Sequence, residues 1–293
     1  MKIGIAGLGR MGGRLASQLV NAGNSVTGYD TDRAALNSIA GINKADSLPD
    51  MVAQLAPRRL IFLMVPAGVV DDTLGGIAPY LSKGDVIVDA GNSFYRDSVR
   101  RAEELRAKGL CYLDSGTSGG LEGAANGASF TVGGEREAFD FALPAFMAMA
   151  AKDGVHYIGK SGAGHFVKMV HNAIEYGMLQ AYAEGFGLLQ TEPGIDLAQV
   201  SKAWEHGSVI RSWVLELITR CLERDARLSA YNGKIGGGES GGWAIQEASE
   251  RGVDFDSIIS AYDARIRSLQ APSFSSKLIA ALREEFGGHR QPK

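Results

Sequence analysis

An apolar run, KIGIA, leads directly into the glycine pattern GLGRMG at residues 7–12, and an amphipathic segment follows to about Asn21. In this pattern the first glycine permits a tight turn, the second lets the backbone approach a pyrophosphate, and the third lets a helix pack closely on a strand. The N-terminus of that helix favours negative charge. The opening therefore predicts a dinucleotide-binding βαβ unit. A glycine turn in an α/β protein without a ligand is the weaker alternative.

Short apolar runs recur through the first half of the chain, at residues 59–65, 85–90, 110–116 and 128–134, and helical patterns separate them. Such alternation predicts a doubly wound, mostly parallel sheet of the Rossmann type. Beyond about residue 162 the strand signals stop, and helical patterns joined by polar turns follow. We expect a dinucleotide-binding α/β domain over residues 1–162 and an all-helical substrate and oligomerisation domain over residues 163–293.

Composition excludes several classes of protein. The 293 residues are 45% hydrophobic, and their net charge of -3 includes no basic block that could follow a nucleic-acid backbone. No apolar run is long enough for a membrane span, and the first strand begins at Lys2 without room for a signal peptide. We expect a cytoplasmic protein that binds neither nucleic acid nor membrane.

A metal site is not expected. Cys111 and Cys221 lie far apart in the sequence without metal-ligand spacing. His165 and His171 are six positions apart, which separates their side chains around a helix, and no acidic cluster accompanies them.

The cofactor preference rests on Asp30, which follows the glycine turn by about twenty residues at the end of the second strand. A carboxylate there accepts both ribose hydroxyls of NAD and repels the 2′-phosphate of NADP. We therefore expect NAD, with NADP left open because Arg33 can turn onto a phosphate. Asp30 can also act as the N-cap of the helix that begins near DRAAL. The candidate cofactor-binding residues are Gly7, Leu8, Gly9, Arg10, Met11, Gly12, Asp30, Arg33, Val65 and Asn92.

The segment GHFVKMVHNAIEYG, residues 164–177, gathers five polar groups on one face of a predicted helix: Lys168, His171, Asn172, Glu175 and Tyr176. An amphipathic helix with a solvated face is the alternative. We favour a buried helix with a catalytic face, because the flanking residues Phe166, Val167, Met169, Val170, Ile174 and Met178 are apolar almost all round. Burial lowers the pKa of a lysine and raises that of a glutamate, which moves both groups toward the range that proton transfer near neutral pH requires.

Two glycine-containing loops support a catalytic site. DAGNSFYRDS, residues 89–98, and LDSGTSGGLEGAANG, residues 113–127, each begin at the carboxyl end of a predicted strand, where open α/β sheets bind ligands. Ser118, Gly119 and Gly120 can form a nest of backbone amides for a carboxylate, and Asn92 can bridge cofactor and substrate. Two ordinary glycine loops are the alternative.

Together these motifs resemble those of the decarboxylating 6-phosphogluconate dehydrogenases, closely over residues 1 to about 190. The resemblance implies oxidative decarboxylation of a phosphorylated sugar acid to ribulose 5-phosphate and CO2 by a Rossmann-type enzyme, without a metal. It implies that Lys168 takes the proton of the 3-hydroxyl group and that Glu175 protonates C1 of the enediol. It also assigns Asn172 and His171 to the substrate hydroxyls, and Ser118, Gly119 and Gly120 to the carboxylate.

The C-terminal part resembles a short form of the family. REEFGGH, residues 283–289, matches the family's final phosphate-binding signature, which implies that Arg283 and His289 serve the active site of a partner in a homodimer or tetramer. Tyr176, Ser240 and Arg265 are further phosphate candidates by the same resemblance. The chain departs from the long forms where Gly238 and Gly242 replace loop lysines, and where Asp30 and Thr31 replace an Asn-Arg pair.

Two other functions are compatible with the sequence. The first is another 3-hydroxyacid dehydrogenase or a semialdehyde reductase of the same superfamily, whose small substrate would give Arg283 and His289 no phosphate to bind. The second is a nucleotide-sensing module without turnover, against which the intact Lys168 and Glu175 argue. Both an oxidative pentose phosphate pathway and gluconate utilization are compatible with the chemistry that the resemblance implies.

Overall fold

The computed structural model describes residues 1–289. Its first compact unit is Met1–Met169, and a second unit begins at Val170. Both units include part of one long helix, Ala163–Leu189.

The first unit is a sheet of eight strands with helices between them. The strands are β1 (Lys2–Ala6), β2 (Ser25–Tyr29), β3 (Asn43–Lys44), β4 (Leu60–Leu63), β5 (Val86–Asp89), β6 (Cys111–Ser118), β7 (Ala128–Gly134) and β8 (Ala150–Gly159). The helices are α1 (Arg10–Asn21), α2 (Arg33–Ser38), α3 (Leu48–Ala53), α4 (Val70–Ile77), α5 (Tyr95–Arg106), α6 (Gly120–Asn126) and α7 (Arg136–Met149). The strand order is β3-β2-β1-β4-β5-β6-β7-β8; of the neighbours in this order, β6 and β7 pair antiparallel and the rest pair parallel. The predicted mostly parallel, doubly wound sheet is confirmed.

Burial on both faces of the sheet explains the continuous apolar runs of the central strands. Every residue of β4 and β5 is buried, as expected for strands covered by helices on two sides. On one side α1 contributes Leu15, Ala16 and Leu19 to the core. This rigid sheet positions the loops at the carboxyl ends of β1, β2, β4, β5 and β6.

The second unit consists of helices, as the sequence predicted. It contains the later part of α8 (Ala163–Leu189), followed by α9 (Leu197–Glu205), α10 (Trp213–Arg224), α11 (Glu239–Arg251), α12 (Asp256–Arg267) and α13 (Phe274–Gly287). Leu179, Ala183 and Phe186 of α8 pack into a core with α10 and α13. Within residues 1–289, none of the helices is long and apolar enough to span a membrane.

The prediction that α8 is buried almost all round is wrong for one side. Ile174 and Met178, which the sequence pattern placed among the buried flanks, are 52% and 38% exposed. Leu188 is exposed as well. The part of the chain that the structure describes therefore leaves this side of the helix largely uncovered.

Candidate active site

The glycine turn after β1 has the geometry that its sequence predicts. Gly7 has a φ of +94°, and a Cβ there would lie 2.5 Å from the carbonyl oxygen of Met64. A Cβ on Gly12 would lie 2.0 Å from the carbonyl oxygen of Gly7, so α1 can approach the turn only with glycine at this position. A Cβ on Gly9 would meet no described atom within 4 Å. Open space therefore lies where a pyrophosphate would approach this backbone.

Asp30 follows β2 and holds this turn in place. Its Oδ2 accepts a hydrogen bond from the backbone N–H of Leu8 at 2.6 Å, and its Oδ1 accepts one from that of Asp32 at 2.7 Å. The suggestion that Asp30 is the N-cap of α2 is wrong, because Asp32 is the N-cap and accepts from the N–H of Ala34 at 2.8 Å. Each carboxylate oxygen of Asp30 retains a second lone pair, which can accept a ribose hydroxyl.

A cavity of about 440 Å³ lies against the turn and is lined by Gly7, Gly9, Asp30 and Val65 among other residues. The same cavity is lined by Val69, Asp72 and Thr73 of the segment after β4, which the sequence reasoning missed. The sequence could have indicated these residues, because ligand-binding residues are expected at the carboxyl end of a central parallel strand. The turn, the carboxylate and the cavity together fit a nicotinamide dinucleotide.

The remaining cofactor candidates have a less direct relation to the cavity. The side chain of Leu8 is buried in the core, and Met11 packs partly buried against the same core, so either residue would reach a cofactor through its backbone. Arg10 is exposed at the start of α1. The guanidinium of Arg33 pairs with Asp46 at 2.9 Å on the surface.

Asn92 lies in a loop that the buried Asp89 anchors at the end of β5. The Oδ1 of Asp89 accepts from the N–H of Gly91 at 3.1 Å, and its Oδ2 accepts from the Ser93 hydroxyl at 2.7 Å. The Tyr112 hydroxyl also donates to Oδ2, at 2.9 Å. The pKa of Tyr112 is raised well above its usual value by burial and then by the nearby Asp89 carboxylate. The exposed Asn92 is thus presented on a fixed loop.

Lys168 lies in the first unit against β6. Its Nζ donates to the Ser118 hydroxyl at 2.9 Å, and its side chain is half-buried. A Cβ on Gly116 would lie 2.5 Å from the Cβ of Lys168, so this glycine allows α8 to cross the strand closely. Gly119 and Gly120 follow with φ values of +112° and +59°, the left-handed region in which consecutive amides can form an anion nest.

The start of α8 is fixed by a carboxylate that the sequence reasoning missed. Asp114, fully buried in β6, accepts from the N–H of Gly162 at 2.7 Å and from the N–H of His165 at 2.9 Å. These bonds satisfy amides that a helix N-terminus leaves without partners. The His165 ring is itself buried, with Nδ1 2.7 Å from the Ser98 hydroxyl. Asp114 therefore sets the position of Lys168, one turn beyond His165.

In the second unit the polar face of α8 contacts the N-terminal turn of α11. Asn172 Nδ2 donates to the hydroxyl of Ser240 at 3.3 Å, and Ser240 is buried. His171 is exposed, and its Nδ1 lies 3.3 Å from Asn172 Oδ1. Glu175 is half-buried on α8, two turns beyond Lys168.

Tyr176 and Arg265 stack on each other. The guanidinium carbon of Arg265 lies 3.7 Å from the centre of the Tyr176 ring. A Cβ on Gly238 would lie 2.1 Å from the Tyr176 hydroxyl, and one on Gly241 would lie 2.5 Å from the ring. A side chain at position 238, where long forms carry a lysine by resemblance, would therefore displace this tyrosine from its position.

A buried arginine and a half-buried one meet at the loop before α11. Arg265 Nε donates to the carbonyl of Gly236 at 3.2 Å, and Arg283 Nη1 donates to the carbonyl of Ile235 at 3.1 Å. Burial lowers the pKa of Arg265, and burial followed by the nearby positive charge of Arg265 lowers the pKa of Arg283, although the Glu175 carboxylate opposes both shifts. Within residues 1–289, neither guanidinium forms an ion pair with a carboxylate. The pair is suited to binding an anion.

Arg283 lies beside Arg265 of its own chain, on a helix that packs into the core of its own helical unit. The expectation that Arg283 serves the active site of a partner stays a prediction. The exposed His289 stacks edge-on against Phe286, with ring centres 6.4 Å apart.

The chain matches family models over nearly all of its length. Residues 2–159 match the NAD binding domain of 6-phosphogluconate dehydrogenase, and residues 164–285 match the C-terminal domain of the same family. A Haloferax volcanii protein named as an NAD(+)-dependent, decarboxylating 6-phosphogluconate dehydrogenase is 43% identical over 99% of this chain and 98% of its own length.

Solved structures agree with these matches. A Plasmodium falciparum 6-phosphogluconate dehydrogenase superposes with a TM-score of 0.84 and 29% identity, covering 92% of this chain and 62% of its own. A Mycobacterium tuberculosis 3-hydroxyisobutyrate dehydrogenase superposes with a TM-score of 0.77 at 23% identity, over 96% of this chain and 99% of its own, and shares the fold. The chain therefore belongs to the 6-phosphogluconate dehydrogenase family of NAD(P)-dependent dehydrogenases.

Proposed function

We propose that the protein converts 6-phosphogluconate to ribulose 5-phosphate and CO2 while reducing a nicotinamide cofactor. The observation that carries the substrate class is the pair Arg265 and Arg283, a buried and a half-buried cation on one loop without an ion-pair partner among the described residues. Two buried like charges are unfavourable until an anion binds between or beside them. A phosphate dianion supplies that charge, whereas a small unphosphorylated hydroxyacid has only its carboxylate, which is proposed to bind at Ser118, Gly119 and Gly120.

The phosphate site is proposed from groups of the second unit. Arg265, held against Tyr176, and Arg283 supply cations, and the Ser240 hydroxyl supplies a further hydrogen-bonding group. Helix α11 begins after Gly238 without a side-chain cap, so its first amides are suited to a phosphate oxygen. These groups would bind the substrate phosphate in place of the loop lysines of the long forms. We also propose that His289 serves a phosphate, as the resemblance implies.

Lys168 is proposed as the base that removes the proton of the substrate 3-hydroxyl. Its contact with the Ser118 hydroxyl supports this role, because the amine is held beside the glycine nest proposed for the carboxylate. A nicotinamide dinucleotide held at the glycine turn and Asp30 would supply the oxidation of the C3 alcohol. The resulting 3-keto acid loses CO2, since the carbonyl accepts the electron pair of the breaking C–C bond. Protonated Lys168 would stabilise that developing negative oxygen by donating to it.

Glu175 is proposed as the acid that protonates C1 of the enediol. It follows Lys168 by two turns of one helix, so the two groups lie along the same side of α8. Asn172 and His171, between them in sequence, are proposed to hold substrate hydroxyls, and Asn92 to bridge cofactor and substrate. These roles come from the resemblance, and the separation of two acid-base groups along one helix supports them.

NAD is proposed as the preferred cofactor and NADP as the less favoured one. Asp30 presents a carboxylate at the cavity, and the surface pairing of Arg33 with Asp46 competes with any contact to a 2′-phosphate. The Haloferax relative is named as NAD(+)-dependent. The Plasmodium protein binds NADP+ as its cofactor.

A cofactor-reduction assay tests the proposal. Absorbance of the reduced cofactor is followed with 6-phosphogluconate, gluconate and 3-hydroxyisobutyrate, each with NAD and with NADP, and released CO2 is trapped in parallel. We expect turnover and equimolar CO2 with 6-phosphogluconate. Turnover only with 3-hydroxyisobutyrate would favour the rival dehydrogenase, whose fold this chain shares. Cofactor binding without turnover of any substrate would favour the sensing module.

A further inference from the structure

Arg101 on α5 is a buried cation that contacts two other elements of the first unit. Its side chain is only 3% exposed. Its Nε donates to Oδ1 of Asp71 at 2.8 Å, and its Nη2 donates to Oδ2 of Asp71 at 3.0 Å. Its Nη1 lies 3.6 Å from Oδ2 of Asp89. One guanidinium therefore connects α4 with the end of β5, and we call this connection the Arg101 tie.

On one side of the tie, Asp71 belongs to the segment that lines the cofactor cavity. Val69 and Asp72 line that cavity, and Asp71 lies between them in the first turn of α4. Two parallel hydrogen bonds to a guanidinium fix both the distance and the plane of such a pair. The hydrogen bonds from Arg101 lower the pKa of Asp71 to about 2 against the opposing effect of partial burial, and Arg100 contributes less. The pair therefore stays charged near neutral pH.

On the other side of the tie, the fully buried Asp89 holds the loop that carries Asn92. Its Oδ2 already accepts from the hydroxyls of Ser93 and Tyr112, which occupy both lone pairs of that oxygen. At 3.6 Å, Nη1 of Arg101 is beyond hydrogen-bonding distance. Arg101 therefore supplies positive charge to Asp89, and a buried carboxylate is costly without a counter-charge.

We propose that Arg101 is a positioning residue for the dehydrogenase reaction, because it ties the segment that lines the cofactor cavity to the anchor of the Asn92 loop. The inference rests on the proposed function, in which Asn92 bridges cofactor and substrate. Arg101 is itself buried and acts through Asp71 on one side and Asp89 on the other. The tie keeps Asn92 in a fixed relation to the cavity, and small displacements of such groups are costly to the rate.

An ion pair that serves stability alone is the alternative, and two observations argue against it. Arg100, at the surface, donates through Nη2 to both oxygens of Asp71 at 3.1 and 2.9 Å, so α4 and α5 are joined without Arg101. Replacing a buried ion pair by apolar residues of similar volume is often neutral or stabilising. The contact between the two helices therefore does not require a buried guanidinium, whereas a fixed link to Asp89 does.

A double-mutant cycle tests whether Arg101 acts through the Asn92 loop. Arg101→Met keeps an extended side chain and removes the charge. At saturating cofactor we expect it to lower kcat/KM for 6-phosphogluconate by about tenfold or more in the wild-type background and by less than about twofold in Asn92→Ala, where the positioned group is already absent. Equal losses in the two backgrounds would overturn the proposal.

Arg100→Met is the matched control. It removes a second arginine from Asp71 but no contact with Asp89, so kcat/KM should stay within about twofold of the parent in both backgrounds. A loss in Arg100→Met as large as that in Arg101→Met would show that the reaction needs only the contact between α4 and α5, and would count against the tie.

Amide hydrogen exchange tests the tie without a substrate. The N–H of Gly91 donates to Oδ1 of Asp89 at 3.1 Å, so exchange of a peptide over residues 90–95 reports how firmly the anchor is held. We expect this peptide to exchange about tenfold faster in Arg101→Met than in the wild type or Arg100→Met, while a peptide from β7 exchanges alike in all three. Unchanged exchange over residues 90–95, or equal acceleration in β7, would overturn the proposal. Faster exchange at the loop alone, in a protein that does not turn over 6-phosphogluconate, would support the tie and count against the proposed function only.

Asp71→Ala cuts the tie from its exposed end and serves if Arg101→Met does not fold. The Asp71 side chain is 52% exposed, and its removal leaves Arg101 paired with Asp89. Calorimetry should show the Kd of NAD rising about threefold or more, because binding must then order a segment that the buried arginine no longer holds. Arg100→Met should bind NAD as the wild type does. Wild-type affinity in Asp71→Ala would overturn the tie.

Discussion

Arg265 stacks on the ring of Tyr176 while its Nε donates to the carbonyl of Gly236. The stack and this bond fix the plane of the guanidinium. Arg283 donates to the adjacent carbonyl of Ile235, so one short loop holds two cations side by side. The repulsion between the two charges lowers the free energy of unfolding of the free protein, and a bound anion raises it. Both effects can be measured.

Arg283→Met should therefore stabilise the free protein and weaken phosphate binding. Removing the half-buried Arg283 charge from beside the buried Arg265 should raise the free energy of unfolding by roughly 1 kcal/mol in phosphate-free buffer. Inorganic phosphate should raise the melting temperature of the wild type, with a stabilisation that follows RT ln(1 + [L]/Kd) for phosphate concentration [L], and should affect the variant less. Scanning calorimetry with and without phosphate measures both effects. Arg220→Met, at an exposed site on α10, is the control. Equal phosphate stabilisation of the wild type and Arg283→Met would count against the site.

Lys168→Ala should lower kcat by at least about a hundredfold while the affinity for NAD changes little, because base catalysis is lost and the cofactor turn is untouched. Cofactor reduction measures the rate, and titration of NAD by calorimetry measures binding. Lys152→Ala removes an exposed lysine of the same unit and should leave both unchanged. More than a few per cent of the wild-type rate in Lys168→Ala would show that another group is the base.

Glu175→Gln should slow ribulose 5-phosphate formation, because the amide keeps the shape of the side chain and cannot supply the proton. We expect a loss of about tenfold or more in kcat. Released enediol would reach solvent, so in D2O the deuterium at C1 should lose its stereochemical preference, which NMR of the product can detect. Glu192→Gln, an exposed glutamate, serves as the matched control. An unaltered rate and unaltered stereochemistry would remove Glu175 from the mechanism.

Asp30→Asn should reduce the preference for NAD over NADP. The amide no longer repels a 2′-phosphate, yet its carbonyl oxygen can still accept one of the two backbone amides that the carboxylate holds. We expect the ratio of kcat/KM for the two cofactors to move toward NADP by about tenfold or more, equivalent to about 1.4 kcal/mol. Asp32→Asn retains a good cap for α2 and should leave the ratio unchanged. A constant ratio in Asp30→Asn would contradict the role of the carboxylate.

The sequence predicted the parts of the fold that neighbouring residues determine. The turn from β1 to α1 depends on Gly7 and Gly12, whose contacts lie within the turn and the adjacent strand, and its geometry agrees with the motif. The start of α8 depends instead on Asp114, which is 48 residues from Gly162. Likewise, the pairing of Arg265 with Arg283 depends on how α12 and α13 fold back to one loop. Contacts between residues that are far apart in the sequence depend on how the chain packs, and a single sequence does not reveal that packing.

Hybrid oligomers can decide whether the tail acts within its own chain. Lys168→Ala and Arg283→Ala chains, carrying different tags, are unfolded together and refolded, and the doubly tagged oligomer is purified. If Arg283 served a partner's site, the hybrid would contain one intact site and recover about half of the wild-type activity per dimer. If Arg283 served the site of its own chain, neither site of the hybrid would be complete. Because the resemblance implies that the tail serves a partner, we expect activity above that of the two parents at subsaturating substrate, whereas no recovery would place the tail in its own chain's site. A hybrid of Lys168→Ala with wild-type chains, which retains one intact site in either arrangement, shows that refolding preserves activity.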